Sequence, residues 1–474
     1  MSELYELVVI GAGPGGMEAT ITATENGVKT ALIDNYPQPG GQYFMRFPSE
    51  FKVDYETKTE TKGRNLVNHV LNVPSLKVFN CLVWGLFQKD DHTWLVALYG
   101  KDTPKYIRAK NLILATGSYD TPIAFPGWTL PGVMSSGGTL VLLKNQRVAP
   151  GKRALVSGTG PLLFSVAAHL IEAGVEVVAL CESNHILPRG IKHAFTMLRQ
   201  TDRLKEGANY MSTILRHKTP YKIGYSVIEA KGQEQVEEAV IAKLDKNGVP
   251  VPNSKQTFKV DLVVSGFSLT PNAGLAKLID CEMKYQPGKG GWIPVRDNNF
   301  QTSLPGVFAV GDGAGIGGAE NARLEGKIAG FAVATKTGHL SQAREKEFRS
   351  ELQTALKQQQ RFGGLLSDLF TPPDGLVSFL KDDTIVCRCE EITLAEVKDA
   401  IQKGARSIGE VKMLTRTGMG NCQGRMCERT VAAIIADTLA KDGITREKAG
   451  FYSVRPPLHP IPQNFLAEAI PEDD

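Results

Sequence analysis

The sequence has 474 residues, of which 42% are hydrophobic and 22% are charged, proportions typical of a soluble globular protein with two or three domains. Its 54 basic and 50 acidic residues give a net charge of +4, which is too small to indicate a nucleic-acid partner. No apolar run approaches the roughly 20 residues that span a bilayer, and the first residues lack the features of a signal peptide. We therefore expect a cytoplasmic protein with no transmembrane segment, and we leave open peripheral contact with a membrane through partner proteins.

The seven cysteines divide into two groups. Cys81, Cys181 and Cys281 stand singly and are expected to be small buried residues. The other four occur in two short stretches near the C-terminus, VCRC at 386–389 and GMGNCQGRMC at 418–427. In a cytosolic protein such clusters favour metal ligands or redox groups over disulfides. No CxxC pair occurs, which argues against a redox-active dithiol of the thioredoxin-reductase kind.

The N-terminal segment predicts a dinucleotide site. Residues 7–10 form an apolar run typical of a buried parallel strand, and a glycine-rich turn and a helix over 14–26 follow. In this turn Gly11 permits the tight bend and Gly13 lets a pyrophosphate approach the backbone, while Gly16 lets the helix pack on the strand.

Further motifs extend this signature along the chain. A second strand over 28–33 ends at Asp34, whose carboxylate can accept hydrogen bonds from both ribose hydroxyls of an adenosine. A turn-rich loop, PQPGGQYF, follows at 37–44. Two distant stretches each predict a strand that ends in a short polar motif: NLILATGSYDTP at 111–122 and GVFAVGDGAG at 306–315.

Together these motifs resemble the two-dinucleotide flavoprotein family, which includes the glutathione- and thioredoxin-reductase-like enzymes, over about the first 340 residues. The resemblance implies that Asp312 contacts FAD and that Gly41 and Gln42 lie near the isoalloxazine ring. This interpretation of Asp312 is compatible with a role as a helix N-cap. The FAD-binding residues implied in this way are Gly11, Gly13, Gly16, Asp34, Gly41, Gln42, Thr116, Gly117 and Asp312.

Residues 151–183 repeat the first unit, with a strand, a turn at Gly158 and Gly160, a helix, and a second strand that leads to Glu182. The third glycine is replaced by Leu163, which should push the helix away from the strand or force different packing. The repeat resembles the NAD(P) domain of the same family. It predicts a nicotinamide site, a site for another adenine nucleotide, or a domain kept for architecture. No basic cluster closely follows Glu182, so NADP is less expected than NAD.

The next stretch completes this second module. Residues 190–262 combine a charged, helix-prone segment with alternating apolar residues, which predicts a helix followed by strands. His169, His185 and His193 have no second ligand or acid at a telling spacing. We therefore expect them to be structural or surface residues.

A polar helix and a linker at 370–375 precede the cysteine-rich segment. Within that segment Thr393 and Glu396 have the spacing of a capping box, which predicts a helix. Cys427 precedes a second, amphipathic helix, for which Gly443 is the expected C-cap.

The four clustered cysteines have an unusual spacing. Cys389 and Cys427 are both expected near helix N-termini, where the helix dipole stabilises a thiolate. Structural zinc usually takes cysteine pairs with two to four intervening residues. The CxxxxC pair here lies within that range, but the other pair is CxC. A CxC pair is an awkward chelate for one small ion and suits a larger inorganic core. Glycines at 418, 420 and 424 leave backbone amides free to turn toward cluster sulfides.

This segment resembles the bacterioferritin-associated-ferredoxin-like domain, which holds a [2Fe–2S] cluster with CxC and a later cysteine pair. The sequence departs from that domain in its second pair, which is CxxxxC instead of CxxC. Zinc and an unmetallated thiol cluster remain the alternatives. Arg388 and Arg425 either offset the charge of a cluster or are ordinary surface arginines. The cluster ligands that the resemblance implies are Cys387, Cys389, Cys422 and Cys427.

The predicted fold class is α/β, with two Rossmann-like dinucleotide-binding domains of the two-dinucleotide flavoprotein type and a small C-terminal helical [2Fe–2S] domain. The expected domains are 1–121 with 265–340 for FAD, 122–264 for the second nucleotide, 341–380 for a helix and linker, 381–445 for the [2Fe–2S] cluster, and 446–474 for an extended tail.

This combination resembles the large subunit of heteromeric amino-acid-type dehydrogenases over nearly the whole chain. That family includes the opine and D-hydroxyproline dehydrogenases, the hydrogen cyanide synthase B subunit and part of the sarcosine oxidase alpha subunit. The resemblance implies a beta subunit similar to D-amino-acid oxidase, which oxidises the C–N bond with its own FAD. An FMN at the interface between chains and a small gamma subunit occur in the family too. The chain itself would pass electrons from an opine, D-hydroxyproline or a related secondary amine to an acceptor.

No acid–base pair for a substrate, no nucleophile and no hydrolytic metal motif is evident in the sequence, so no catalytic residue is predicted. Two other functions stay open. One is a self-sufficient NAD(P)H-dependent ferredoxin or acceptor reductase, in which the second module is active. The other is a non-catalytic assembly subunit whose four cysteines bind zinc.

Overall fold

The computed structural model describes residues 3–45, 58–186 and 201–469. These residues form two compact units, each built from separate segments of the chain. The first unit comprises residues 3–45, 58–118, 270–363 and 453–469, and the second comprises 119–186, 201–269 and 364–452.

Strands and helices alternate through most of the chain. The strands are β1 (Leu4–Ile10), β2 (Thr30–Ile33), β3 (Leu76–Val78), β4 (Cys81–Gln88), β5 (Trp94–Gly100), β6 (Tyr106–Leu114), β7 (Ser118–Asp120), β8 (Val133–Ser135), β9 (Arg153–Thr159), β10 (Glu176–Glu182), β11 (Tyr221–Ile223), β12 (Tyr225–Lys231), β13 (Glu238–Lys243), β14 (Gln256–Lys259), β15 (Leu262–Phe267), β16 (Leu269–Pro271), β17 (Met283–Gln286), β18 (Gly291–Pro294), β19 (Val307–Ala309), β20 (Ile385–Cys387) and β21 (Ile392–Thr393). The α-helices are α1 (Pro14–Glu25), α2 (Lys58–Asn72), α3 (Ser136–Leu140), α4 (Leu162–Glu172), α5 (Thr201–Arg216), α6 (Gly274–Leu278), α7 (Ala319–Lys336), α8 (Gln342–Phe370), α9 (Leu394–Gln402), α10 (Ile408–Thr415), α11 (Glu428–Thr438), α12 (Arg446–Ala449) and α13 (Gln463–Ala469).

A seven-stranded sheet forms the centre of the first unit. Its strand order is β3-β2-β1-β6-β5-β4, and β19 also pairs with β6. The apolar run of β1 is buried on both faces: Leu7 and Val9 pack with residues of α1 and α7, whereas Val8 and Ile10 pack with residues of β5 and α6. Because β1 is parallel to β2 and β6 on either side, the turn after it lies at the edge where α/β sheets bind ligands.

The second unit contains a five-stranded parallel sheet of order β11-β10-β9-β15-β8 and a separate antiparallel sheet of β12, β13 and β14. The register of β15 on β9 places Gly266 opposite Gly158. Helix α5 and strands β11 to β14 confirm the predicted helix followed by strands. Residues 190–200 of that stretch, with His193, lie outside the described residues.

The C-terminal module is a small helical fold with its own apolar core, to which Cys387 and Cys427 belong. The predicted capping box of Thr393 and Glu396 begins α9, and a second capping box at Ser407 begins α10. Each box satisfies backbone amides that the first helical turn leaves without an intrahelical acceptor. The local sequence therefore sets where both helices start.

This module contacts residues 119–269 within the same compact unit. The Trp128 indole Nε1 donates a 2.6 Å hydrogen bond to Ile385 O, at the start of β20. The Lys381 ammonium lies 2.6 Å from Glu229 Oε1. Both contacts tie the module to the strands and loops of residues 119–269.

Two predictions about helix ends are wrong. Helix α11 begins directly after Cys427, but it ends at Thr438, and Gly443, with a φ of 70°, ends a separate short 3-10 turn. Cys389 does not lie at a helix N-terminus, because β21 separates it from α9, which begins at Leu394. The dipole argument therefore applies to Cys427 alone.

The predicted α/β fold class, with two Rossmann-like sheets and a small C-terminal helical module, is confirmed. Cys81, Cys181 and Cys281 are all buried, as expected of single structural cysteines. Among the described residues, no helix combines the length and the apolar character needed to cross a membrane.

Candidate cofactor sites

The loop after β1 requires glycine at two positions. Gly11 has a φ of 107°, and a Cβ atom there would lie 2.3 Å from Ala115 O. A Cβ atom on Gly16 would lie 1.8 Å from Gly11 O, so α1 touches the turn directly. No atom of the described residues comes within 4 Å of the Cβ position of Gly13. The loop therefore combines a tight turn with an open backbone face that a pyrophosphate can approach.

Asp34 follows β2 beside this loop and is only 7% exposed. Its Oδ2 accepts a hydrogen bond from the Ala12 amide, and its Oδ1 accepts one of 2.7 Å from the Tyr36 amide. Burial raises the pKa of the Asp34 carboxyl, and the backbone amides that donate to it oppose that shift. The carboxylate is thus held next to the glycine turn, where the dinucleotide fingerprint places an adenosine ribose.

The loop that contains Gly41 and Gln42 packs against the same turn. The Gly40 amide donates a 2.9 Å hydrogen bond to Ala12 O. Gly41 has a φ of 58°, and a Cβ atom there would lie 2.8 Å from Gly13 Cα. The Gln42 side chain is exposed. The structure therefore brings the turn after β1 and the loop of Gly41 and Gln42 together, although 24 or more residues separate them in sequence.

Asp312 is half-buried in a short 3-10 turn after β19, between the buried residues Gly311 and Gly313. Its Oδ1 accepts hydrogen bonds from the amides of Gly317 at 2.8 Å and Gly318 at 2.9 Å, just before α7 begins. Both amides donate to the same oxygen, so Oδ2 is available to accept a hydrogen bond from a ligand hydroxyl. Burial raises the pKa of this carboxyl.

Thr116 and Gly117 lie against this turn. A Cβ atom on Gly313 would lie 2.7 Å from Thr116 Oγ1 and 3.1 Å from the Gly117 nitrogen. The Thr116 hydroxyl itself donates a 2.6 Å hydrogen bond to Asn272 O. The predicted residues after β6 and β19 therefore form one contiguous surface, and the close contact leaves no room for a side chain at 313.

A buried ion pair that the sequence did not indicate supports the Asp312 turn. Arg296 Nη1 lies 2.8 Å from Glu325 Oε2 and donates a 2.7 Å hydrogen bond to Ala309 O. The same Glu325 oxygen accepts a 2.8 Å hydrogen bond from the Gly311 amide. Because Arg296 and Glu325 are far apart in sequence and neither belongs to a motif, only the tertiary structure identifies them.

A buried carboxylate contacts the second glycine turn, at Gly158 and Gly160, as Asp34 contacts the first. Gly158 has a φ of 149° and Gly160 a φ of 117°. Glu182 is 1% exposed, and its Oε2 accepts a 3.1 Å hydrogen bond from the Gly160 amide while Oε1 accepts one of 2.9 Å from the Asn184 amide. Burial raises the pKa of Glu182 to about 7.

The predicted effect of Leu163 is visible as different packing. Leu163 is 2% exposed and belongs to the core between the second sheet and its helices. A Cβ atom on Gly266 would lie 3.2 Å from Leu163 Cδ2 and 2.0 Å from Ser136 Oγ. The glycine that makes room at this helix–strand contact is therefore on β15, not on the helix.

Asn184 connects the second turn to the linker. Its Nδ2 donates to Thr159 Oγ1 at 3.1 Å, to Leu369 O at 2.9 Å and to Thr371 O at 3.0 Å. Thr159, Glu182 and Asn184 are all buried. The second turn is therefore tied to the segment that leaves α8, a contact with no counterpart among those described for the first turn.

Of the three histidines considered in the sequence, His169 and His185 lie within the described residues, and each contacts a backbone carbonyl. His169 Nδ1 lies 2.7 Å from Ser165 O, and His185 Nε2 lies 3.0 Å from Leu244 O. Bonds to backbone carbonyls are what structural histidines make.

The four clustered cysteines form two pairs. The side chain of Cys387 interacts with that of Cys427, and the side chain of Cys389 interacts with that of Cys422. Cys387 and Cys427 are buried, Cys422 is half-buried and Cys389 is exposed. The neighbouring Cys427 thiol lowers the pKa of Cys387 to about 6.

Backbone amides next to the thiols favour their ionised form. The amides of Gly418, Glu390 and Cys389 help to lower the pKa of Cys387, and those of Met426 and Gly424 oppose the rise in the pKa of Cys422 that burial causes. Amide donors of this kind stabilise negative charge on sulfur.

The two cysteine pairs fit the two irons of a [2Fe–2S] cluster. Each iron of a [2Fe–2S] cluster takes two cysteines, and the structure presents two cysteine pairs. The flanking arginines differ: Arg388 is exposed, whereas Arg425 Nη1 donates a 3.1 Å hydrogen bond to Cys422 O.

Comparison with known families agrees with this geometry. Residues 5–338 match the pyridine nucleotide-disulphide oxidoreductase family. Residues 385–437 match the BFD-like [2Fe-2S] binding domain, a range that includes all four clustered cysteines.

Similar proteins extend over nearly the whole chain. The A subunit of opine oxidase from Agrobacterium tumefaciens (strain Ach5) is 29% identical over 97% of this chain and 91% of its own length. The hydrogen cyanide synthase protein HcnB of Pseudomonas protegens is 30% identical over 96% of both. The solved L-proline dehydrogenase from P. horikoshii superimposes with a TM-score of 0.71 at 20% identity, over 98% of this chain and 80% of that one, which supports the fold.

These relatives confirm the resemblance predicted from the motifs. The glycine turns, the buried Asp312 turn and the four paired cysteines all lie inside the matched ranges. The chain belongs to the pyridine nucleotide-disulphide oxidoreductase family and is an FAD-dependent oxidoreductase that carries a BFD-like [2Fe–2S] domain at its C-terminal end.

Proposed function

We propose that the chain is the electron-transfer subunit of a heteromeric dehydrogenase, which oxidises an opine, D-hydroxyproline or a related secondary amine or amino acid at a partner subunit. The observation that most strongly supports this proposal is the near full-length similarity to named subunits of opine oxidase and hydrogen cyanide synthase. The presence of two different redox-cofactor cradles on one chain also supports it, because such a pair is suited to relaying electrons.

The FAD site is assigned to the first compact unit. In this assignment the turn at Gly11, Gly13 and Gly16 approaches the pyrophosphate, and Asp34 accepts hydrogen bonds from the adenosine ribose. Asp312 Oδ2 accepts a hydrogen bond from a ribityl hydroxyl. The loop of Gly41 and Gln42 and the surface of Thr116 and Gly117 border the flavin.

The [2Fe–2S] site is assigned to Cys387, Cys389, Cys422 and Cys427. When bound, FAD exchanges electrons in pairs and the cluster exchanges them one at a time. The role of the polypeptide is to hold the two groups, to exclude water from the buried thiols of Cys387 and Cys427, and to stabilise negative charge on sulfur with backbone amides.

A single substitution tests whether the two sites are separable. Cys422→Ser should remove the visible absorption and the iron of the cluster, while bound FAD per chain stays unchanged. Loss of both cofactors together would contradict the assignment to independent sites. A colourless wild-type protein that contains stoichiometric zinc would instead support the alternative of a zinc-binding assembly subunit.

The partner proposed is a beta subunit similar to D-amino-acid oxidase. Further components of the proposed complex are an interfacial FMN and a small gamma subunit. The test is to purify the native complex and assay amine-dependent dye reduction by the complex and by each separated chain. We expect activity in the complex only. A lone chain with full amine dehydrogenase activity would overturn the proposal.

A second candidate is a self-sufficient NAD(P)H-dependent ferredoxin or acceptor reductase. The contact between Glu182 and the Gly160 amide favours it, because the buried acid accepts a hydrogen bond from its glycine turn, as Asp34 does from the amide of Ala12. Anaerobic addition of NADH to the isolated chain separates the two functions. Rapid bleaching of the flavin supports the reductase, and an unchanged flavin spectrum supports the electron-transfer subunit.

The sequence-predicted domain limits are part of this proposal. We propose that 1–121 with 265–340 bind FAD, that 122–264 form the second nucleotide module, and that 381–445 hold the cluster. Cytoplasmic location likewise remains a proposal, to be tested by fractionation of the native host.

A further inference from the structure

A tyrosine outside every motif contacts one of the clustered cysteines. Tyr452 follows helix α12 and is 3% exposed. Its hydroxyl oxygen lies 3.6 Å from Cys427 Sγ, within hydrogen-bonding distance for sulfur. Cys427 itself is fully buried, so water does not compete for this contact.

The surrounding glycines hold the ring in place. A Cβ atom on Gly424 would lie 2.4 Å from Tyr452 Cδ2, and one on Gly418 would lie 2.8 Å from Cε2. The Tyr452 amide donates a 3.1 Å hydrogen bond to Glu428 Oε2, one residue after Cys427. The phenol therefore occupies space that only glycine leaves, and its position relative to Cys427 follows from several independent contacts.

Iron binding by Cys427 determines which atom donates the hydrogen bond between Tyr452 and Cys427. A cysteine that binds iron has lost its proton, so its sulfur can only accept a hydrogen bond. The phenol must then be the donor. A hydrogen bond to a ligand sulfur stabilises the more negative, reduced form of a cluster and so raises its reduction potential.

We infer that Tyr452 is a positioning residue that raises the reduction potential of the [2Fe–2S] cluster through a hydrogen bond to Cys427 Sγ. This inference rests on the proposed ligation of one cluster by the four cysteines. It assigns a second purpose to Gly418 and Gly424, which is to admit the phenol ring next to the cluster.

The test is a redox titration of the full-length protein followed by EPR. Tyr452→Phe keeps the ring and removes only the hydroxyl, so the cluster should remain and its potential should become more negative. An exchangeable proton coupled to the cluster in pulsed EPR spectra should disappear in the same variant. Tyr225→Phe, on β12 of the same compact unit, is the matched control and should leave both readouts unchanged.

A second substitution covers the case in which Tyr452→Phe fails to assemble a cluster. Replacement of Tyr452 by 3-fluorotyrosine keeps the ring and strengthens the donor, so the potential should become less negative. An intact cluster with an unchanged potential in either form would overturn the inference but leave the cysteine assignment standing. A wild-type protein that holds no iron would overturn both.

Discussion

A buried carboxylate contacts each of the two glycine turns of this chain. The two turns differ in which residue allows the helix to pack closely on the sheet. In the first, the glycine that permits close approach is Gly16 on the helix, whose Cβ position lies 1.8 Å from Gly11 O. In the second, Leu163 occupies the equivalent place, and Gly266 on the neighbouring strand provides the space. The dinucleotide fingerprint therefore requires that the helix and the sheet approach closely. The glycine that makes this approach possible can lie on the helix or on a neighbouring strand.

The starts of the two helices reflect this difference. In the first turn the Met17 amide donates to Gly13 O, four residues earlier, as in a regular α-helix. In the second the Leu163 amide donates to Gly160 O, three residues earlier. The second helix thus begins with a tighter turn, and four tests follow from comparing the two loops.

Exchanging the third residue between the loops should have the largest effect. Gly16→Leu places a side chain against a backbone oxygen that cannot move without opening the turn, so we expect purified protein with almost no bound FAD. Overpacking of this kind costs about 1–3 kcal/mol or more. The measurement is flavin per chain from visible absorbance.

The reverse change, Leu163→Gly, is the matched control. It should leave a cavity in the second unit and lower its unfolding free energy by about 2–5 kcal/mol, yet keep FAD. If Gly16→Leu retains a full complement of FAD, the first turn is not the site of pyrophosphate binding.

Neutralising the two acids should separate the loops by function. Asp34→Asn removes a charged acceptor for the ribose and should weaken FAD binding by about 1.5–3 kcal/mol, or roughly 10- to 150-fold. Glu182→Gln should leave FAD affinity unchanged. Fluorescence titration of the apoprotein with FAD measures both, and equal losses in the two variants would contradict the assignment of FAD to the first turn.

The buried Glu182 should make the second unit less stable as pH rises. Its pKa in the folded chain is about 7, above the ordinary value of 4.5, so the folded state binds more protons between these values. Between pH 5 and pH 7 this should remove about 2 kcal/mol of stability. Calorimetry of the wild type should show the decline, and Glu182→Gln should flatten it. An equal decline in both proteins would mean that another group is responsible.

The smallest expected effect belongs to the contact that only the second turn makes with the linker. Asn184→Ala removes the donor to Leu369 O and Thr371 O and should lower the unfolding free energy by about 1 kcal/mol, with FAD content unchanged. Asn26→Ala, which removes a bond to Thr22 O at the end of α1, is the control in the first unit. If Asn184→Ala also makes the flavin respond to NADH, the linker contact restrains an active nucleotide site.

Local patterns were enough to predict much of this protein. The strand–turn–helix repeats, the capping box at Thr393, the linker after α8 and the [2Fe–2S] domain were all readable, because each depends on residues close in sequence. The ends of helices were predicted less accurately. Gly443 ends a 3-10 turn and not α11, because α11 ends at Thr438. Helix termini depend on packing as well as on propensity.

By itself, then, the sequence determined the α/β repeats, the acids that follow their second strands and the four cysteines. Tertiary structure alone decided how distant residues complete these sites: Gly266 beside Leu163, the ion pair of Arg296 and Glu325 under the Asp312 turn, and the pairing of Cys387 with Cys427. The physical reason is that such contacts join residues tens to hundreds of positions apart. Neither periodicity nor spacing records them until the chain has folded.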